Sequence, residues 1–172
     1  RAYDFEARQP DMIFINNPYD DGNYVTSVHP FFYTSCLKRY TENLVYVPYF
    51  IREEISPKET AKVKRMEHFC TVFGVVNADK VIVQSEAMRE IYVNVLSKYA
   101  GENTREYWKN NIVWMLSPKI EKLQNVDKKT LQVPDEWKKI LAEKHNGRVV
   151  LYNTHLNLLM QTNYKQFIPK LK

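Results

Sequence analysis

The stretch Lys80 to Tyr99, "KVIVQSEAMREIYVNVLSKY", decides the fold. Its first six residues, Lys80 to Ser85, hold a continuous rather than alternating apolar run, as expected of a strand buried on both faces of a parallel sheet. Ser85 then offers a helix N-cap, and Met88, Ile91, Tyr92, Val95 and Leu96 recur at helical spacing to form one apolar stripe. A buried strand running straight into an amphipathic helix is the building unit of an α/β protein.

The same alternation extends in both directions. Short apolar runs at Met12–Asn16, Leu44–Phe50, Ile112–Leu116 and Arg148–Asn153 read as four further strands. Between them, "SPKE" at Ser56–Glu59 supplies a Ser cap, a Pro at the first helical position and a Glu at the third, predicting a helix to about Gly74. Asn103 and Glu106 repeat the capping pattern before "REYWKN", and "DEWKKILAEKHNG" predicts a helix stopped by Gly147. The expected fold is therefore α/β, a Rossmann-like parallel sheet flanked on both faces by helices, with ligands outside the carboxyl ends of its strands.

The 172 residues are 44% hydrophobic and 13% aromatic, enough for one substantial core and too apolar for a disordered chain. No run of about 18 apolar residues is present to span a bilayer. Two cysteines, Cys36 and Cys70, without a CxxC pair, fit reduced thiols of a cytoplasmic protein better than a disulfide scaffold. The net charge of +5 is spread among Glu and Asp in the manner of solvated helix faces, and no nucleic-acid motif accompanies it. Nucleic acid is not an expected partner.

The polar residues at strand ends are the candidate chemistry. Asp20 and Asp21, with Gly22 and Asn23, follow the first strand and read first as an Asx-type turn; orientation of an acceptor hydroxyl by Asp20 is the weaker reading, with Asn23 a further candidate substrate contact. No further ligand stands at a diagnostic spacing, so no metal is expected there. His29, fixed in extended backbone by Pro30, would stand at the N-terminus of a helix over "FFYTSCLKRYTE". Such a position disfavours imidazolium and leaves a neutral proton acceptor. The alternative is a ring packed by Phe31, Phe32 and Tyr33. Ser85 and Glu86 read first as a helix cap and a first-turn acid, and second as cleft ligands. Asn153, Thr154 and His155 close the last strand and serve either a ligand or a strand-end cap.

"PDMIFINNPYDDGNYVTSVHPFFYTSCLKRYTENLVYVPYF" (Pro10–Phe50), "FCTVFGVVNADKVIVQSEAMREIYV" (Phe69–Val93) and "SPKIEKL" (Ser117–Leu123) resemble bacterial proteins of the CDP-glycerol glycerophosphotransferase-like family, over most of residues 3 to 160. More distantly, the layout is similar to the N-terminal half of two-domain GT-B glycosyltransferases and UDP-GlcNAc 2-epimerases. The pattern departs in places: Glu121 stands where an Asp is usual in the interdomain turn, Leu116 where Gly is common, and His29 precedes Pro30 rather than Gly.

That resemblance implies a fragment with three parts: an acceptor-side domain over residues 1–124, an interdomain linker and helix over 125–147, and the start of a nucleotide-binding domain over 148–172. It implies transfer of glycerol phosphate from CDP-glycerol to a hydroxyl acceptor in cell-surface polymer synthesis, without a resident cofactor. His29 would be the base, Lys119 a phosphate contact, and Asn153, Thr154 and His155 contacts to the donor. The partners would be a nucleotide-activated donor and a hydroxyl acceptor, with a peripheral contact at the inner face of the membrane. The fragment alone would be inactive. Rival readings are a non-catalytic binding or scaffold module on the same fold, motivated by those departures, and a sugar-nucleotide glycosyltransferase or epimerase-like enzyme using carboxylates such as Asp20, Asp21 and Glu86.

Overall fold

The computed structural model describes residues 3–127 and 129–143. The chain divides into two compact units, Arg1–Asn125 and Val126–Lys172. The first holds four strands, β1 (Ile13–Ile15), β2 (Leu44–Tyr46), β3 (Lys80–Val83) and β4 (Ile112–Trp114), and seven helices: α1 (Phe5–Arg8), α2 (Thr34–Leu37), α3 (Thr60–Cys70), α4 (Phe73–Val76), α5 (Glu86–Ala100), α6 (Arg105–Asn111) and α7 (Pro118–Gln124). In the second unit, α8 (Asp135–Ala142) is described and is solvent-exposed throughout. The fifth strand expected at Arg148–Asn153 and the stop at Gly147 lie outside the described residues.

All three strand pairings are parallel, in the sequential order β1-β2-β3-β4. The protein is thus α/β, as the apolar runs require. Registers Ile15↔Tyr46, Tyr46↔Val81 and Val81↔Ile112 align side chains on one face. There Tyr46, Val81, Val83 and Ile112 pack with Met66 and Cys70 of α3, Met88, Ile91, Tyr92 and Leu96 of α5, and Trp108 of α6. A smaller cluster joins Leu44 and Ile13 to Leu37 and Phe5.

Coverage of the other face differs from the expectation. Strands laid down in order by right-handed crossovers carry their helices on one side. Among the described residues, Phe14, Val45, Ile82 and Val113 belong to neither cluster: Phe14 is 66% exposed at the edge, Ile82 and Val113 are half-buried, and Val45 in the middle of the sheet is buried.

Ser85 caps α5, its Oγ accepting from Met88 N at 3.2 Å, and the apolar stripe faces the core. The capping box at Ser56–Glu59 forms, with Ser56 N donating to Glu59 Oε2 at 3.0 Å. It closes a turn, however, and the helix begins at Thr60 and breaks after Cys70 before the short α4. Asn103 caps nothing; it sits in a 3₁₀ turn, and Thr104 Oγ1 instead accepts from Trp108 Nε1 at 3.0 Å.

Burial in this core raises acid pKa values. Desolvation, with a smaller contribution from Glu67, pushes the Cys70 thiol up to about 12 from 9.0, and burial shifts Tyr46 and Tyr92 upward as well. Raised folded-state values mean that these groups hold their protons in the folded protein after the unfolded chain has lost them. Their contribution is complete below about pH 9 and is lost as pH climbs toward 12. Expected results are alkylation of half-buried Cys36 in the native protein, protection of Cys70 until denaturant is added, and a denaturation midpoint that falls above pH 9. Equal labelling of both thiols by a maleimide at neutral pH would contradict this burial.

Candidate functional site

The loop leaving β1 is built around a buried carboxylate. Asp20, in left-handed backbone at φ 48° and almost fully buried, accepts from Thr34 N at 3.0 and 3.1 Å and from Thr34 Oγ1 at 2.7 Å. Asn77 Nδ2 donates to the same hydroxyl at 2.7 Å. Asp and Asn tolerate that backbone because their short polar side chains bond locally. Here the bond instead reaches fourteen residues along the chain to the first turn of α2. Gly22 N closes the turn on Tyr19 O at 2.7 Å, and Asn23 Oδ1 accepts from Val25 N at 3.0 Å, an Asx turn as read from the sequence. Asp21 is exposed.

His29 is exposed and caps a three-residue 3₁₀ turn, Pro30–Phe32, rather than the long helix expected. One 3₁₀ turn followed by the four residues of α2 carries little macrodipole, so the electrostatic argument for this histidine lapses. The ring is not buried under Phe31 and Phe32. Its Nδ1 accepts from Phe31 N at 3.3 Å. In the neutral ring the hydrogen therefore sits on Nε2.

At the carboxyl end of β3, Ser85 Oγ donates to Glu54 Oε1 at 2.6 Å while capping α5. Glu86 is exposed and pairs with Arg89 at 2.8 Å. The residue between β3 and that cap does more. Gln84 clamps the backbone of Arg52 in both directions, accepting from its N–H at 3.0 Å and donating to its carbonyl at 2.8 Å.

A cleft of about 830 Å³ runs along β1, from Tyr3, Phe5 and Pro10 to the carboxyl ends of β1 and β2. Asn17, Val28, Tyr49, Ser117 and Lys119 line that end. Pro118 starts α7 at the position where a missing N–H costs nothing, which sets Lys119 in the first turn. Lys119 Nζ donates to the carbonyl of Tyr49, tying the head of α7 to the loop after β2. Asn17 spans its own loop, donating to Thr26 O and accepting from Tyr19 N at 3.0 Å.

Of the residues singled out from the sequence, Lys119 lines this cleft. His29 adjoins the lining residue Val28 without lining the cleft itself, and Asp20, Asn23, Ser85 and Glu86 are not among its lining. Asn153, Thr154 and His155 lie outside the described residues. Asn17, Tyr49 and Gln84 were missed: Asn17 directly follows an apolar run, while Tyr49 and Gln84 lie inside runs read as strand although β2 ends at Tyr46 and β3 at Val83. Among the described residues no three His, Cys, Asp or Glu side chains come together as a metal group, and no helix is long and apolar enough to cross a membrane.

The chain matches no family model, no curated protein and no solved structure.

Proposed function

We propose that this chain is the acceptor-side domain of a GT-B-like, Rossmann-type transferase that moves glycerol phosphate from CDP-glycerol to a hydroxyl acceptor. The observation that carries the reading is the large cleft along β1, which reaches the carboxyl ends of β1 and β2 and has Lys119 in its lining. Parallel α/β sheets bind ligands there. The resemblance of Pro10–Phe50, Phe69–Val93 and Ser117–Leu123 to the glycerophosphotransferase-like family names the chemistry.

In this reading the acceptor oxygen attacks the β-phosphorus, the bridging P–O bond breaks, and CMP leaves with the electron pair. The acceptor's proton goes to His29. Since Nδ1 holds the free lone pair and is engaged by Phe31 N, the ring must first give up a long hydrogen bond, a cost of about 1 kcal/mol. Lys119, released from the Tyr49 carbonyl, neutralises charge on the phosphoryl oxygens. A nucleotide-binding partner domain supplies the rest of the cationic surface.

A second reading, a binding module without chemistry, is favoured by the internal engagement of Asp20, Ser85 and Glu86, bonded to Thr34, Glu54 and Arg89. The same engagement weighs against an epimerase, which needs carboxylates facing a common sugar nucleotide.

CMP release from CDP-glycerol, measured on the protein that carries this chain, separates these readings. His29→Gln is expected to lower turnover by about 10²–10⁴ with little change in the denaturation midpoint. Turnover retained at the wild-type level removes His29 from the mechanism. Absence of CDP-glycerol binding by calorimetry hands the case to the binding module.

A further inference from the structure

Arg52 is held by backbone bonds and aromatic rings with no acid among the described residues to balance its charge. The Gln84 clamp fixes its backbone. Its guanidinium carbon lies 3.9 Å from the centre of the Phe69 ring and 5.8 Å from that of Phe50. The Nε atom is buried and has no hydrogen-bond partner, and no carboxylate within salt-bridge reach of Arg52 occurs among the described residues. A buried guanidinium donor left unpaired is costly, and the usual remedy is a nearby acid. Two acids follow immediately in the sequence, yet both are directed elsewhere. Glu53 lies 3.9 Å from Lys62, and Glu54 accepts from Ser85 Oγ at 2.6 Å.

The space beside Arg52 is a cleft of about 470 Å³ whose charged lining is Arg52, Lys62, Arg65 and Glu53, between the apolar walls of Phe50 and Met66. Arg65 makes no ion pair among the described residues, and its charge opposes the upward pKa shift that Glu59 imposes on Lys62. Like charges have thus been brought together with only partial compensation. With Glu59 paired to Lys62 at 2.9 Å, three cations stand against two carboxylates, a net charge of about +1 that favours an anion such as a phosphomonoester.

We propose that Arg52, Arg65 and Lys62 form a binding site for a phosphomonoester group, distinct from the cleft along β1. The aromatic walls hold the Arg52 guanidinium plane in place, and its fork of donors meets two phosphate oxygens side by side. Arg65 supplies further charge, and Lys62 joins when a phosphate oxygen takes the place of its partner Glu59. The site stands independently of the transferase reading, since it uses neither His29 nor Lys119. A free phosphorylated metabolite and the phosphomonoester headgroup of a lipid present the same chemistry to it.

The test is an NMR titration of the ¹⁵N-labelled 172-residue chain with inorganic phosphate from pH 5.5 to 7.5, beside pelleting with phosphatidate-containing and pure phosphatidylcholine vesicles. Expected are saturable shifts at the Arg52 and Arg65 resonances that strengthen as the dianion forms. Arg52→Gln should weaken binding about tenfold or more, Arg65→Gln by severalfold, and Glu53→Gln should tighten it by severalfold. Arg65 and Glu53 are exposed, so their variants keep the test decisive if Arg52→Gln disturbs folding. Pelleting with phosphatidate that both Arg variants abolish, without binding of free phosphate, supports the site with a lipid headgroup as its source. Binding to neither probe, or binding that Arg65→Gln and Glu53→Gln leave unchanged, overturns the proposal.

Discussion

Asp20→Ala is expected to destabilise the protein by about 2–4 kcal/mol, read as a large drop in the urea midpoint without a change in slope. The carboxylate accepts from both Thr34 N and Thr34 Oγ1, with Asn77 extending the network. Removing it strands the Thr34 N–H in a buried place. The replacement residue must also adopt φ 48°, where alanine pays a steric cost that Asp and Asn largely avoid. Asp20→Asn should therefore be milder, near 1–2 kcal/mol, because it keeps the backbone preference and one acceptor oxygen. Should Asp20→Ala prove as stable as the wild type, the loop is not anchored through this group.

Gly74→Ala tests the same loop from the opposite side. A Cβ built on Gly74 would sit 2.5 Å from Pro18 Cα and 2.7 Å from Pro18 Cβ. Because the nearest obstacle is backbone, no rotamer change relieves it. Either α4 or the loop must move, and the bond from Gly74 N to Pro18 O at 2.8 Å goes with it. The expected loss is about 3 kcal/mol, at the upper end for an added methyl in a packed interior. Pro18→Ala should not rescue it, since Cα and Cβ both remain. Full rescue would place the obstacle in the proline ring instead.

These two residues also mark the limit of what the sequence disclosed. The strands were legible because an apolar run between turn residues has few other uses, and β1 to β4 all fall within the runs read as strands. Ser85 was legible because a cap acts over three residues. The Asp20–Thr34 bond spans fourteen residues, and no local pattern encodes a partner at that distance. Asp20 accordingly read as a turn former or a ligand, when its carboxylate is an internal anchor. Gly74 looked like the end of a helix but is required by contact with Pro18, a residue 56 positions earlier (74 − 18 = 56). In the same way Arg52 carried no signal, because its meaning comes from Gln84 and Phe69 rather than from its own neighbours.

The sequential order of the sheet bears on how the chain acquires its structure. Ile13 pairs with Leu44, Val45 with Lys80, and Val81 with Ile112, so each closure spans only about 30 to 35 residues. Among the described strands, none has to be inserted between two already joined. Each of β2, β3 and β4 finds its docking edge formed by the strand before it, so these four can assemble in the order of their synthesis.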